Sequence, residues 1–168
     1  MAVFENKFVY QSILWRHVRA WWHYIDDIFM IWDGSLTALD DFHKSLNGVY
    51  PELQFTLVHS TVQIQFLDTL VYKDGDRLKT DIFVKETDRN SLLLYDSNHP
   101  RKMIDSLPWS QLLRVRRIVS DENTVSKRLD EMCTKFVMRG YPEKNVSDLK
   151  KRALSTSREN ARSNIVAL

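Results

Sequence analysis

The segment from residue 21 to residue 32 is apolar on both sides of an adjacent acid pair, Asp26 and Asp27. This pattern fits neither an amphipathic helix nor a half-buried strand. It predicts a β-hairpin with two buried strands, Trp21–Ile25 and Ile28–Trp32, because aspartate tolerates the backbone angles of a tight turn and stays near water. The acid pair is therefore expected at the tip of a hairpin.

A short amphipathic helix follows in the pattern. Apolar residues recur at helical spacing from Leu36 to Leu46. Ser35 is placed to cap the start of this helix, and Gly48 stands just past its end.

Three β-rich runs come next. Leu53–His59 alternates between apolar and polar residues, which predicts a strand that is half-buried against the helix. Gln63–Tyr72 and Arg77–Lys85 are two further β-rich runs. The Asp-Gly dipeptide at 74–75 between them favours a tight hairpin turn.

Beyond residue 86 the pattern changes from strands to helices. One or two helical turns are predicted over residues 101–106. Pro108 stands at a plausible first position of a helix that ends near Ile118 or Val119, because proline is tolerated where the backbone N–H has no helical partner.

Two more helices and a tail complete the chain. Ser120 or Asp121 can cap the first, and Gly140 lies just past its end. Its apolar stripe consists of Val125, Leu129, Met132, Phe136 and Val137. The second helix is predicted over about 142–154, and residues 155–168 are expected to be frayed.

The predicted fold class is α+β. An antiparallel sheet, built in the order hairpin, helix, strand and hairpin, is followed by a helical region. We place the sheet region at residues 1–86, the helical region at 87–154 and the tail at 155–168.

Composition excludes several classes of protein. The chain has 168 residues, of which 43% are hydrophobic and 27% charged, so a packed core can form and general disorder is excluded. No apolar run approaches the roughly 20 residues that a membrane helix needs. The single cysteine, Cys133, can form no internal disulfide. We expect an intracellular protein, nuclear or cytoplasmic, with no membrane partner.

The net charge of +2 conceals a division along the chain. Residues 1–100 carry nine basic and fourteen acidic side chains, whereas residues 101–168 carry fifteen and eight. A basic surface of this kind is typical of proteins that meet phosphates, although a solvated helix face explains the same excess.

Within the basic region, Arg114 and Arg117 share a predicted helix face, and Arg116 stands beside them. Trp109 lies slightly earlier in the same helix. Arginines beside an aromatic ring suit phosphate binding and base stacking. A solvated amphipathic helix is an equally good interpretation of these residues.

The acid pair has its own possible chemistry. Adjacent carboxylates at an exposed tip offer the hard oxygen ligands that Mg2+ prefers. Two such ions would clamp the attacking and leaving oxygens of a phosphoryl transfer. An ordinary solvated turn is the competing interpretation, but the surrounding apolar strands favour a rigid site.

Tyr24-Ile25-Asp26-Asp27 resembles the YxDD motif of reverse transcriptases. Further segments, in order along the chain, resemble blocks of the polymerases of Penelope-like retroelements. They are residues 22–29, 64–68, 87–90, 96–100, 106–111, 114–118 and 139–142. The ordered set covers roughly residues 1–154 and is much more specific than YxDD alone.

The resemblance implies a polymerase palm followed by a helical thumb, with RNA-directed DNA synthesis as the activity of the parent enzyme. Asp26 and Asp27 would bind Mg2+, and Tyr24 would line the catalytic site near the primer end. By analogy with the family, Lys85 and Arg89 would follow the backbone of a primer–template. The thumb-side helices also resemble a small animal helix-turn-helix unit.

Polymerases of this kind take a third carboxylate from a strand well before YxDD, and their fingers lie further upstream. Only 25 residues precede Asp26. We therefore expect a truncated fragment that lacks the N-terminal palm and fingers and is inactive alone. Two alternatives stay open. In the first, residues 100–154 form a nucleic-acid-binding helix-turn-helix module. In the second, the chain is an inactive transposon-derived remnant.

Overall fold

The computed structural model describes residues 2–85 and 87–163. The chain divides into two compact units, residues 1–60 and 61–168. Two antiparallel sheets, one of two strands and one of three, occur with α-helices in the described part of the chain. The predicted α+β class is confirmed, but the strands form two sheets rather than one. The boundary predicted at residues 86 and 87 falls inside the second unit.

The first unit consists of an irregular helical start, a hairpin and one helix. Its elements are α1 (Ala2–Phe4), a π-helical turn (Glu5–Val9), a 3-10 helix (Ile13–His17), β1 (Val18–Tyr24), β2 (Asp27–Trp32) and α2 (Leu36–Asn47). The predicted hairpin and helix are confirmed, with two corrections to the hairpin. The Oγ of Ser35 accepts a hydrogen bond from the Ala38 N–H at 3.1 Å, and Gly48 is the C-terminal cap.

The two corrections to the hairpin concern its burial and its turn. Its strands, predicted to be buried, are half-buried or exposed. Its turn consists of Ile25 and Asp26, because Asp27 pairs with Tyr24 as the first residue of β2.

Aromatic side chains build the core of this unit. Phe42 of α2 is 2% exposed. Trp32 stacks on Phe42 with ring centroids 5.5 Å apart, and Trp21 meets it edge-on at 6.4 Å. The indole Nε1 of Trp21 donates to Glu5 Oε1 at 2.9 Å, so this half-buried polar group is satisfied. The core therefore fixes β1 and β2 against α2.

The strand predicted over Leu53–His59 is wrong, because no ladder forms there. The backbone groups of Phe55 bond to side chains of α2 instead. Its N–H donates to Asn47 Oδ1 at 2.7 Å, and its carbonyl accepts from Asn47 Nδ2 at 3.0 Å. The side chain of Phe55 packs on Phe4 with centroids 5.5 Å apart. The apolar alternation thus serves core packing without a strand.

The second unit opens with a three-stranded antiparallel sheet. Its strands are β3 (Gln63–Phe66), β4 (Thr69–Asp74) and β5 (Arg77–Ile82), paired in that order. The single run predicted over 63–72 is wrong, because a turn at Leu67, which has φ 54°, divides it in two. The Asp-Gly turn is confirmed, since Gly75 has φ 60° between β4 and β5.

The first helix of this unit is longer than predicted. α3 spans Arg101–Ile118 without interruption, so Pro108 lies inside it rather than at its start. Proline removes one helical hydrogen bond. The helix continues because Pro108 is itself buried and lies between the core residues Ile104 and Leu112, which are 1% and 0% exposed. Burial on both sides stabilises the helical backbone through this position.

Three further helices follow: α4 (Glu122–Val137), α5 (Glu143–Ser155) and α6 (Arg158–Ser163). Val125, Leu129 and Phe136 of α4 are buried as predicted, but Val137 is 41% exposed. The fraying predicted from residue 155 is wrong for the described part of the tail. α6 is anchored there by Ala161, which is fully buried, and residues 164–168 lie outside the described residues.

The sheet and the helices of the second unit meet at the α3–α4 turn. The Thr80 N–H of β5 donates to Ser120 Oγ at 2.7 Å, and the Ser120 N–H donates to the Thr80 carbonyl at 2.9 Å. Leu112, Val115 and Val119 bury their side chains in the core below this turn. The last strand is thereby fixed to the helical region.

Candidate nucleic-acid interface

The acid pair lies at the tip of the β1–β2 hairpin. Tyr24 pairs with Asp27 across the last rung, and Ile25, with φ 54°, and Asp26 form the turn. Both aspartates are exposed. The expected packing of apolar side chains around the pair is only partial, because Trp22, Tyr24 and Ile25 are more than half exposed. Both carboxylates are therefore accessible from solvent.

No third ligand joins the acid pair in the described part of the chain. Within residues 2–85 and 87–163, no three His, Cys, Asp or Glu side chains are grouped so that they could hold a metal ion. The Mg2+ site expected at Asp26 and Asp27 stays a prediction.

Arg114 and Arg117 of α3 lie close together, as their spacing predicts. Arg114 forms an ion pair with Asp68 and lies 3.4 Å from Gln111 Oε1. Burial and, to a smaller extent, the positive charge of Arg117 lower the pKa of Arg114. The Nε of Arg117 is buried and has no hydrogen-bond partner. Arg117 thus retains an unused donor.

Arg116 points inward, which corrects its predicted role in nucleic-acid binding. The residue is 6% exposed. Its Nε donates to the Thr156 carbonyl at 2.8 Å, and its Nη1 pairs with the Glu122 carboxylate at 2.8 Å. Arg116 therefore joins α3 to the end of α5 and to α4, and its guanidinium is not presented to a phosphate.

Trp109 also has a partner within the chain. The guanidinium of Arg152 lies over its ring, with the Cζ atom 4.1 Å from the centroid. The half-buried ring also packs against the core that contains Leu112 and Leu129. Arg152 therefore occupies one face of the ring on which a base would stack.

Lys85 and Arg89 are exposed in the segment that follows β5. Two contacts with Lys135 attach this segment to α4. Asp88 forms an ion pair with Lys135 of α4, and Asn90 Nδ2 donates to the Lys135 carbonyl at 3.0 Å. The two predicted contacts thus lie on a loop that is held at one end by α4.

α4 and α5 form a helix pair joined by a tight turn. The turn covers residues 138–142 and contains Gly140, whose φ of 84° is left-handed. Tyr141 is 4% exposed and packs edge-on against Phe136 with ring centroids 4.9 Å apart. Short turns with a glycine are typical of helix-turn-helix units. The buried tyrosine fixes the path of the chain between the helices.

α5 buries one face and exposes the other. Val146 and Ala153 are 1% and 0% exposed. On the outer face, polar side chains follow one another at helical spacing and are exposed: Lys144, Asn145, Ser147, Asp148 and Lys151. Among the described contacts, Lys151 meets Asp148 at 3.2 Å and Lys144 has no ion-pair partner. This face presents exposed polar side chains, two of them lysines, to solvent.

Two basic residues of α6 were missed by sequence reasoning. Arg158 donates to the carbonyls of Arg117 and Ile118 at 3.1 and 3.3 Å, and Arg162 is exposed. A local signal existed, because Ser157 Oγ accepts from the Asn160 N–H at 3.1 Å as an N-terminal cap. The polar composition of the tail obscured this signal.

No helix among the described residues is long and apolar enough to cross a membrane. No curated protein matches the chain, and no solved structure matches it. The family model of the animal helix-turn-helix domain matches residues 91–151, which cover α3, α4, the glycine turn and most of α5.

Proposed function

We propose that residues 91–155 bind duplex nucleic acid as a helix-turn-helix module, with the outer face of α5 as the contact surface. The observation that carries the proposal is the α4–turn–α5 pair within the segment that matches the family model. In modules of this type the second helix enters the major groove, and the N-terminal residues of that helix reach base edges.

The residues of α5 suit this role in different ways. Lys144 and Asn145 stand in the first turn of the helix, where lysine suits guanine and asparagine suits adenine in the major groove. Lys151 lies two turns later and suits a backbone phosphate. Lys150 forms an ion pair with Asp130 of α4 at 2.5 Å, which holds α5 against its neighbour.

The test measures binding of the full chain to a labelled random duplex at two salt concentrations. Lys144→Gln and Lys151→Gln should each weaken binding, and a lost phosphate contact should reduce the log–log salt slope by about 0.9. Lys44→Gln, an exposed lysine of α2, is the matched control and should change neither quantity. Unchanged affinity in both α5 variants would contradict the proposal.

A selected duplex separates two forms of this function. Base reading by Lys144 or Asn145 should make a selected sequence bind much more tightly than a random one, because each good base contact contributes about 1–3 kcal/mol. A surface that only holds the backbone, as a polymerase thumb does, should bind both duplexes equally.

A second proposal keeps the polymerase interpretation of the first unit. It is favoured by the exposed position of Asp26 and Asp27 at the tip of the β1–β2 hairpin. The proposed cofactor is Mg2+, with Tyr24 beside the primer end, as the resemblance to reverse transcriptases implies. Titration with Mn2+, followed by paramagnetic broadening of the NMR signals of residues 24–27, tests the site. Asp26→Asn should abolish the broadening, and equal broadening in that variant would contradict the site.

A further inference from the structure

Arginines gather in the C-terminal half of α3 and in α6. They are Arg114, Arg116, Arg117, Arg158 and Arg162. Arg158 links α6 to α3 and to β5, because its Nε donates to the Arg117 carbonyl at 3.1 Å and its Nη2 donates to Thr80 Oγ1 at 3.0 Å. The group therefore includes α6, which lies outside the segment matched by the family model.

Carboxylates neutralise only some of these five arginines. Arg114 pairs with Asp68, and Arg116 pairs with Glu122. For the other three arginines, no carboxylate among the described residues lies within ion-pair distance. Arg158 uses its donors on oxygens of the backbone and of Thr80, which leave its charge in place.

The surplus charge has an energetic consequence. Burial lowers the pKa of Arg158, and the charges of Arg162 and Arg116 lower it further, whereas the Glu122 carboxylate partly opposes this effect. The guanidinium groups are thus close enough to repel one another, and such repulsion destabilises the folded chain unless an anion neutralises it. An anion bound beside these arginines would relieve this repulsion.

Phosphate is the anion that this arrangement suits best. Guanidinium groups bind phosphate oxygens in pairs of parallel hydrogen bonds, and a row of arginines on two helices suits a repeating anion better than a single one. Arg162 is exposed and Arg117 is half-buried. The Nε of Arg117 is buried, so a phosphate would have to meet the outer part of this side chain. Neither residue has an ion-pair partner among the described residues, so both keep their charge for an anion.

We propose that the end of α3 and α6 form a second phosphate-binding surface, in which Arg117 and Arg162 contact the backbone of the nucleic acid. Arg158 acts as a positioning residue that holds α6 against α3. The proposal rests on the helix-turn-helix function of α4 and α5 and extends its contact area to residues beyond 151.

The experiment compares Arg117→Gln, Arg162→Gln and the double variant with the wild-type full chain on a random DNA duplex. Each lost contact should reduce the salt slope by about 0.9, so the ratio of affinities at 50 and 200 mM salt should fall by about 3.5-fold per contact. Lys102→Gln, an exposed lysine at the other end of α3, is the matched control and should leave the ratio unchanged.

Each outcome decides the proposal. Circular dichroism checks folding, and if Arg117→Gln unfolds, exposed Arg162 carries the test alone. A wild-type slope in both variants overturns the second surface and leaves the α5 proposal standing. An equal reduction of the salt slope by Lys102→Gln also overturns the second surface, because the loss of any positive charge would then explain the effect. Failure of the wild-type chain to bind any duplex overturns both proposals.

Discussion

Arg128 of α4 holds Asp81 of β5 with two parallel hydrogen bonds. Its Nε donates to Asp81 Oδ1 at 3.0 Å, and its Nη2 donates to Oδ2 at 2.6 Å. Asp81 is 9% exposed, and the two residues are 47 positions apart in the chain. The pair fixes the edge strand of the sheet to the helix that precedes the glycine turn.

Removing one partner of this pair should destabilise the second unit strongly. Arg128→Met leaves the Asp81 carboxylate nearly buried without its counter-charge, which costs about 3 kcal/mol. Urea denaturation followed by circular dichroism measures the free energy of unfolding. Asp105→Asn is the control, because it breaks only the exposed pair with Arg101 and should cost less than about 1 kcal/mol. An equal effect of both variants would contradict the structural role of Arg128.

Arg116 should affect stability rather than nucleic-acid binding. Arg116→Met removes hydrogen bonds to the Thr156 carbonyl and to Glu122, so the free energy of unfolding should fall by about 2 kcal/mol. The salt slope of duplex binding by the folded variant should equal that of the wild type. A slope that is reduced by about 0.9 would restore Arg116 as a phosphate contact.

Gly140 should be needed for the turn between α4 and α5. An added Cβ would lie 3.8 Å from the Cβ of Tyr95, so space is available and the cost is conformational. A left-handed alanine costs about 1–2 kcal/mol, and Gly140→Ala should lower the free energy of unfolding by that amount. Gly48→Ala, at a residue with φ −81°, should change stability much less. Similar losses at the two positions would contradict this explanation.

The second unit should lose stability in acid. A hydrogen bond from Thr124, supported by Lys79, lowers the pKa of Asp121. The folded state therefore binds protons less readily than the unfolded chain, so the stabilisation is present above the unfolded pKa of about 3.9 and is lost as the pH falls through the folded value. Asp88, whose pKa is lowered by Lys135, has the same sign.

Urea denaturation between pH 6 and pH 2 measures this dependence. The free-energy difference between wild type and Asp121→Asn should be largest near pH 6 and should shrink at low pH. Asp76→Asn, at an exposed turn, is the control. A difference that grows as the pH falls would contradict the assigned shift.

Several elements could be predicted from local sequence because short-range forces determine them. The hairpin around Asp26 and Asp27, the helix from Leu36 to Asn47 and the Gly75 turn agree with the structure. In each, periodicity of apolar residues, a capping side chain or a turn residue acts within a few positions. The exposed place of the acid pair follows from the same local rule.

The sequence could not show with which other parts of the chain the polar groups form hydrogen bonds. The alternation over Leu53–His59 is real, but Asn47 bonds to the backbone of Phe55 and no ladder forms there. The same limit applies to Pro108, because burial of its neighbours Ile104 and Leu112 lets α3 continue through it.

The arginines show most clearly which features the local sequence determines and which depend on the tertiary structure. Sequence spacing alone determined that Arg114 and Arg117 share a face of α3, since a helix repeats every 3.6 residues. Only the tertiary structure decided that Arg116 is buried against Thr156 and that Arg158 of α6 returns to α3. These contacts join residues about 40 positions apart, and their energy depends on packing that local periodicity does not encode.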